Sequence, residues 1–190
     1  MESSNEEYSI PSIDNIRSVS HGVSILADLN ESAIEYIQKD MLEEAGESLL
    51  HAIEAIPRVQ FLLEKEPIEQ QKVFDYSYVC TIFYNMAVIY QKLSGLEDCK
   101  LFLEKTLKCM KKLDIFKFTQ KIVDHRFENM KNNEEFAQSY TPKTSKEINS
   151  ALVLLRFLSK FTLQYCAVLS QLSFHEEALK KSKEAAFYCQ

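Results

Sequence analysis

Apolar residues recur every three or four positions along most of the chain, a period that predicts amphipathic α-helices. Isolated prolines, glycines and short polar intervals divide this pattern into segments. Six helices follow from these breaks, at about residues 13–39, 42–64, 68–93, 96–131, 145–172 and from 174 onward. Because the last segment is still strongly helical where the sequence stops, we expect the natural chain to continue beyond residue 190.

A few residues define the expected helix boundaries. Ser12 is the expected N-cap of the first helix, and Pro57 should bend the second helix or end it early. Gly95 is expected to end the third helix by adopting a left-handed conformation. The longest polar interval, between Lys131 and Thr144, should form a loop with some local helix.

Composition favours an all-helical chain. Among 190 residues there are only 3 glycines and 4 prolines, so few positions interrupt a helix. This length suits one substantial hydrophobic core, and we expect a flexible N-terminus at residues 1–12 and a single domain at 13–190. The expected fold class is all-α, with six to seven helices.

Three stretches repeat one order of small and large apolar residues. The best preserved, at residues 29–57, contains Leu29, Ala33, Tyr36, Leu42, Ala45, Leu49, Ala52 and a closing Pro57. The other two contain Phe83, Met86, Ala87, Tyr90, Gly95, Leu96, Cys99 and Leu103, and then Tyr165, Cys166, Leu169, His175, Ala178 and Ala185. A small residue in each of two antiparallel helices lets their backbones approach closely, while the large neighbours fill the gap beside them.

These stretches resemble the repeats of the tetratricopeptide family. The resemblance covers about half of the chain and implies a right-handed stack of antiparallel helical hairpins, an α-solenoid. The spacing departs from the family, because Ala33 and Ala87 are 54 residues apart and Ala87 and Cys166 are 79 apart, against a usual repeat of about 34. The expected stack is therefore irregular, with unusually long helices or degenerate helices between the recognisable pairs.

In the family, the first helix of each pair lines a groove that holds a partner. The resemblance implies a groove that includes Ile34, Ile37, Tyr84, Asn85, Val88, Lys92 and Lys160. Some such grooves clamp the C-terminal carboxylate of chaperones, and only Asn85 and Lys160 match that clamp. Asn30, Ile34 and Gln164 stand where a lysine, an asparagine and an arginine are expected, so most of the charge that offsets desolvation of a carboxylate is missing.

The net charge of −6 is unevenly distributed along the chain. Residues 1–75 carry 16 acidic and 5 basic side chains, whereas residues 76–190 carry 12 acidic and 17 basic ones. Between Lys100 and Lys131, lysines interleave with phenylalanines, and the candidate basic patch consists of Lys105, Lys108, Lys111 and Lys112. Such a patch could bind nucleic acid or an acidic polymer. The alternative is a solvated helix face whose aromatic residues point into the core.

No pattern of catalytic or metal-binding residues is visible in the sequence. The histidines and cysteines lack metal-site spacing, the glycines are too scattered for a phosphate loop, and paired carboxylates lie at helix starts. The 5 cysteines form no CxxC motif and most occupy apolar helical positions, which favours reduced thiols in the cytoplasm or the nucleus. No apolar run approaches the roughly 20 residues of a membrane span, so no membrane partner is expected.

The expected function is that of a protein–protein interaction scaffold or adaptor, which holds a helix or an extended peptide of a partner protein in its groove. We expect neither enzymatic activity nor a cofactor or metal. One alternative is a subunit that binds nucleic acid or an acidic polymer through residues 100–131. A second alternative is a regulatory module of a larger enzyme.

Overall fold

A computed structural model describes residues 13–68, 71, 76–113 and 145–188 of the chain. These residues form a short 3-10 helix (Ile13–Asn15) and six α-helices: α1 (Val19–Gln38), α2 (Leu42–Leu63), α3 (Ser77–Lys92), α4 (Leu96–Met110), α5 (Ser145–Gln171) and α6 (His175–Tyr188). No β-strand occurs in these described ranges, and the predicted all-α class is confirmed. The predicted flexible N-terminus and the predicted loop before Ser145 lie outside them.

The helices belong to two compact units, Met1–Ile82 and Phe83–Gln190, which we call unit 1 and unit 2. Unit 1 contains α1 and α2, and unit 2 contains α4, α5 and α6. The boundary falls within α3, most of which belongs to unit 2. The single domain expected at residues 13–190 stays a prediction.

Unit 1 is a helical hairpin in which α1 packs closely on α2. Ala33, Ala45 and Ala52, the small residues of the first repeat-like stretch, are fully buried at this contact. Gly22 marks a close approach, because a Cβ atom at this position would lie 2.5 Å from Cγ2 of Val59. Small side chains therefore set the distance between the two helices.

The start of α1 differs from the prediction. The helix begins at Val19, and its N-cap is Ser18, whose side chain accepts a hydrogen bond of 3.2 Å from the His21 backbone N–H. The segment before it is tied to α2, because Ile16 is buried and its carbonyl oxygen accepts a 3.4 Å hydrogen bond from Arg58 Nε. This contact holds the chain in a 3-10 turn and a bend where the hydrophobic period predicted a continuous helix.

Pro57 does not end α2, contrary to one of the two outcomes expected for it. The helix continues to Leu63 with the proline inside it. A proline in a helix interior costs about 3 kcal/mol, because it removes a backbone hydrogen bond and crowds the preceding turn. Val59 and Leu63 lie beyond it and are both buried, so the core contacts of the last two turns offset that cost.

Three hairpin turns share one geometry. In each, a residue with positive φ follows the first helix, namely Asp40 (60°), Ser94 (62°) and Ser173 (66°). The backbone N–H of the next residue donates to the carbonyl five positions earlier, in Met41 to Tyr36 (2.9 Å), Gly95 to Tyr90 (2.8 Å) and Phe174 to Leu169 (2.8 Å). These bonds satisfy carbonyls that a helix C-terminus leaves open. The left-handed residues are thus 54 and 79 residues apart, the same intervals that separate Ala33, Ala87 and Cys166 in the sequence.

Gly95 does not have the left-handed conformation predicted for it. Its φ is −81°, and the preceding Ser94 takes the left-handed position. The reason for a glycine here is a close approach, since a Cβ atom at residue 95 would lie 3.1 Å from Cδ1 of Tyr90.

The fourth predicted helix is shorter than expected. α4 ends at Met110, and the Lys112 and Leu113 backbone N–H groups donate to the carbonyls three residues earlier, at 2.9 Å each. Such bonds tighten and close a final helical turn. A continuous helix to Lys131 is therefore wrong at residues 111–113, and the positions after 113 lie outside the described range.

One stretch of α5, Val153–Gln171, is long and apolar enough to cross a membrane by length and composition alone. This corrects the expectation that no apolar run approaches that length. A core helix of a soluble protein passes the same test, and 33% of this stretch is buried. Its buried positions are Leu158, Phe161, Thr162, Tyr165, Val168 and Leu169, so packing within unit 2 accounts for part of its apolar character.

Candidate functional site

The first helices of two hairpins, α3 and α5, lie side by side in unit 2. The Tyr84 ring meets the Phe157 ring edge-on, with centroids 5.1 Å apart. About two turns further along both helices, Gln164 Nε2 donates a 2.6 Å hydrogen bond to Gln91 Oε1. Because the residue numbers rise together, the two helices run parallel. We call the contact between α3 and α5, from the Tyr84–Phe157 pair to the Gln91–Gln164 pair, the α3–α5 seam.

Four predicted groove residues border the α3–α5 seam. Val88 lies in one row with Tyr84 and Gln91, because residues three or four positions apart share a helix face. Its side chain is half-buried. Asn85 and Lys92 directly follow Tyr84 and Gln91, so they lie about 100° further around α3. Lys160 is exposed on α5, between Phe157 and Gln164 along the helix. The structure therefore brings an apolar, an amide and two cationic side chains of the prediction to one seam: Val88, Asn85, Lys92 and Lys160.

Tyr84, the fifth predicted groove residue in unit 2, has a packing role. Its ring lies 6.3 Å from the Phe161 ring in addition to its contact with Phe157. Burial raises the pKa of Tyr84, and the nearby Cys99 adds to this effect, so the phenol stays neutral. The Tyr84 side chain therefore packs between α3 and α5 more than it extends toward a partner.

The two remaining predicted groove residues lie on α1 of unit 1. Ile34 is exposed and Ile37 is half-buried. Asn30, which stands where the carboxylate clamp has a lysine, is buried in the same helix. The structure thus places an apolar, partly exposed edge on α1 and leaves no exposed amide at residue 30.

The exposed side of α5 carries a combination that sequence reasoning missed. Val153, Arg156, Lys160 and Leu163 are all exposed and follow one another at intervals of three or four residues. We call these four residues the basic face of α5. The helix is apolar on most sides, so its hydrophobic period does not reveal which side is open to solvent.

The candidate basic patch is divided by the structure. Lys105 is half-buried, and its Nζ lies 4.5 Å from the Phe102 ring centroid and 5.8 Å from that of Phe83. Phe102 itself is buried, which agrees with the alternative of a helix face with inward aromatic rings. The other three members are exposed at or just after the end of α4: Lys108, Lys111 and Lys112.

A polar cluster, also missed by sequence reasoning, joins α4, α5 and α6. The buried Tyr165 donates a 3.2 Å hydrogen bond from its hydroxyl to Glu104. Lys181 lies 5.7 Å from the Tyr165 ring and 2.6 Å from the Glu184 carboxylate. Burial and the Glu104 charge raise the pKa of Tyr165 far above its ordinary value. The Tyr165–Glu104 hydrogen bond links α5 to α4, and the Lys181–Tyr165 contact links α6 to α5, whereas the Lys181–Glu184 ion pair lies within α6.

A further cation–aromatic contact extends this cluster. Lys100 Nζ lies 4.6 Å from the Phe174 ring and 3.6 Å from Glu104 Oε1. The sequence contains only the helical spacings of the two ion pairs, Lys100 with Glu104 and Lys181 with Glu184. It carries no signal for the pairing of residues 104 and 165.

Two cysteines of the described residues have a defined environment. Burial raises the pKa of Cys99 to about 11, so this thiol stays protonated at neutral pH. Cys166 Sγ donates to the Ala178 carbonyl oxygen at 3.2 Å. Within the described ranges, no three His, Cys, Asp or Glu side chains form a group that could hold a metal ion.

Comparisons with known proteins assign no function to these residues. No protein-family model, no curated protein and no solved structure matches the chain. The resemblance to the tetratricopeptide family therefore stays a prediction, and the site is defined by its own geometry alone.

Proposed function

We propose that this chain is a protein–protein interaction module that holds a helix of a partner protein along the α3–α5 seam. The observation that carries the proposal is the parallel pairing of α3 and α5 through Tyr84–Phe157 and Gln91–Gln164. Two parallel helices in contact form a shallow groove of the kind into which an amphipathic helix can dock.

The chemistry of the seam defines the partner. Val88 and the apolar ends of the basic face, Val153 and Leu163, offer contacts for an apolar stripe. Arg156 and Lys160 are exposed beside them and favour an acidic partner through complementary charge, which increases the association rate and fixes the orientation. The proposed ligand is therefore an amphipathic helix with acidic side chains next to its apolar stripe.

The irregular stack of hairpins is part of the same proposal. Three hairpins with the same left-handed turn residue and the same long-range turn bond support it. Within unit 2, α3 and α5 would be the groove-lining helices of such a stack.

A peptide selection tests the function. The immobilised chain is exposed to a displayed library of random helical peptides, and we expect enrichment of amphipathic sequences rich in Asp and Glu. The variant Arg156→Glu/Lys160→Glu should lose these peptides. The matched control Lys180→Glu/Lys183→Glu reverses two exposed charges on α6 and should retain them. Equal binding by both variants, or enrichment without acidic residues, would contradict the proposal.

The exposed lysines after α4 support a second candidate, binding to nucleic acid or an acidic polymer. Lys108 and Lys111 are both exposed at this end of the helix. Binding of this kind weakens steeply with salt. Titration of a single-stranded oligonucleotide at low ionic strength, with Lys108→Glu/Lys111→Glu as the comparison, tests it, and no binding by the wild type excludes it.

A further inference from the structure

The outer side of α2 in unit 1 combines acidic and apolar residues in one row. Six exposed positions lie on this side of the helix at intervals of three or four residues, namely Glu43, Glu47, Leu50, Glu54, Pro57 and Phe61. We call them the acidic face of α2. A Cβ atom at the neighbouring Gly46 would meet no atom within 4 Å, so the space beside this face is open.

The two large apolar side chains of the acidic face are too exposed to belong to a core. Leu50 is 49% exposed and Phe61 is 47% exposed. Glu54 lies between them, and Glu43 and Glu47 extend the negative charge toward the start of the helix. At the other end, two cations lie against the Phe61 ring, with Lys65 Nζ 4.0 Å and Arg58 Cζ 5.8 Å from its centroid.

The basic face of α5 has the complementary arrangement. Its apolar ends, Val153 and Leu163, are 66% and 53% exposed, and Arg156 and Lys160 lie between them. At 1.5 Å rise per residue, these two ends are about 15 Å apart along the helix, and Leu50 and Phe61 are about 16 Å apart along α2. The two faces thus match in apolar spacing, and the glutamates of the acidic face are opposite in charge to Arg156 and Lys160.

We propose that the chain associates with itself, through docking of the acidic face of α2 in one copy onto the basic face of α5 in another copy. This inference rests on the proposed function, because it names α2 of a second copy as the acidic amphipathic helix that occupies the α3–α5 seam.

An antiparallel arrangement aligns both apolar pairs, brings one pair of opposite charges together and opposes the dipoles of the two helices. Leu50 then faces Leu163, and Phe61 faces Val153. Glu54 faces Lys160 between these apolar pairs. Each face pairs with a different face, so the contact is heterologous, and it produces a closed ring or an open chain of copies.

The first test is the mass of the full chain as a function of concentration, measured by sedimentation equilibrium. We expect a mass above the 22.1 kDa of one copy that rises with concentration and falls with added salt. A mass of 22.1 kDa at every concentration up to about 1 mM would overturn the inference.

The second test reverses the charges of each face separately. Glu47→Lys/Glu54→Lys makes the α2 face basic, and Arg156→Glu/Lys160→Glu makes the α5 face acidic. Each variant alone brings like charges together, so we expect its self-association to weaken about tenfold or more. An equimolar mixture should associate again, because the reversed α2 face of the first variant fits the reversed α5 face of the second.

Control variants separate this contact from general charge effects. Asp28→Lys/Glu31→Lys on α1 and Lys180→Glu/Lys183→Glu on α6 change exposed charges by the same amounts and should associate as the wild type does. Failure of the mixture to associate would show that these two faces do not pair. A monomeric chain that still selects acidic peptides would contradict only the second copy as occupant, whereas a chain that selects none would contradict the proposed function as well.

Discussion

Unit 1 and unit 2 pack their helices by different means. In unit 1, α1 and α2 meet through small residues, with a glycine at a point of close approach and alanines on both helices. In unit 2, aromatic rings form a row along α5. The ring centroids are 6.2 Å apart in Phe157 and Phe161 and 6.1 Å apart in Phe161 and Tyr165. Tyr90 and Phe102 add a stacked pair at 5.5 Å between α3 and α4.

This difference shows how one turn geometry serves two kinds of core. The three hairpin turns have the same left-handed residue and the same hydrogen bond. Small side chains allow a short distance between helices, and rings require a longer one but bury more area per residue. Unit 1 should therefore be most sensitive to added volume, and unit 2 to removed volume.

The largest effect is expected when a ring is removed from unit 2. Phe161 is 2% exposed, and Phe161→Ala should lower the free energy of unfolding by about 3–5 kcal/mol because it leaves a cavity. Denaturant unfolding measures the change, and hydrogen exchange should show lost protection in α5. The control Leu163→Ala lies on the exposed side of the same helix and should change stability much less, by about 0.5 kcal/mol at most. Equal destabilisation by the two variants would remove the distinction between core and exposed side.

A smaller effect is expected when volume is added to unit 1. Gly22→Ala places a methyl group against Val59 and should destabilise the chain by about 1–3 kcal/mol. Gly46→Ala, on the other helix of the same hairpin, meets no atom within 4 Å and should stabilise it by about 0.5–1 kcal/mol. Thermal unfolding of the two variants measures the contrast, and shifts of the same sign would refute the account of helix contact through Gly22.

The smallest effect is expected at the polar cluster of unit 2. Tyr165→Phe keeps the ring and removes the hydrogen bond to Glu104, at a cost of about 0.5–1.5 kcal/mol. Tyr90→Phe, in the stacked pair, is the control and should cost less. Two equal losses would indicate that the Tyr165 hydroxyl contributes nothing specific.

The variant Tyr165→Phe should also change how stability depends on pH. Folding raises the pKa of Tyr165 above its ordinary value of 10.0, so the unfolded chain releases this proton first as the pH rises. The contribution to stability is complete below pH 10.0 and is lost at higher pH. Stability of Tyr165→Phe should therefore fall less steeply above that pH than stability of the wild type. Parallel pH profiles would contradict the raised pKa.

Some of the candidate site was predictable from the sequence. Repeat register places four residues in the predicted groove that border one seam in unit 2, namely Asn85, Val88, Lys92 and Lys160. The role of Tyr84 was not predictable, because its contact with Phe157 joins residues that are far apart in the chain. The basic face of α5 was also missed, since a helix that is apolar on most sides does not show which side faces solvent.

The sequence by itself determined the all-α class, the approximate positions of most helices and the recurrence of three hairpins. These features depend on local periodicity and on helix-stopping residues, which act over a few positions. Tertiary structure decided that Pro57 lies inside α2, that Ser94 takes the left-handed position in place of Gly95, and which sides of α2 and α5 remain open to solvent. Those outcomes depend on contacts between distant residues, because burial on one side of a helix can offset a local cost and leaves the opposite side free for a partner.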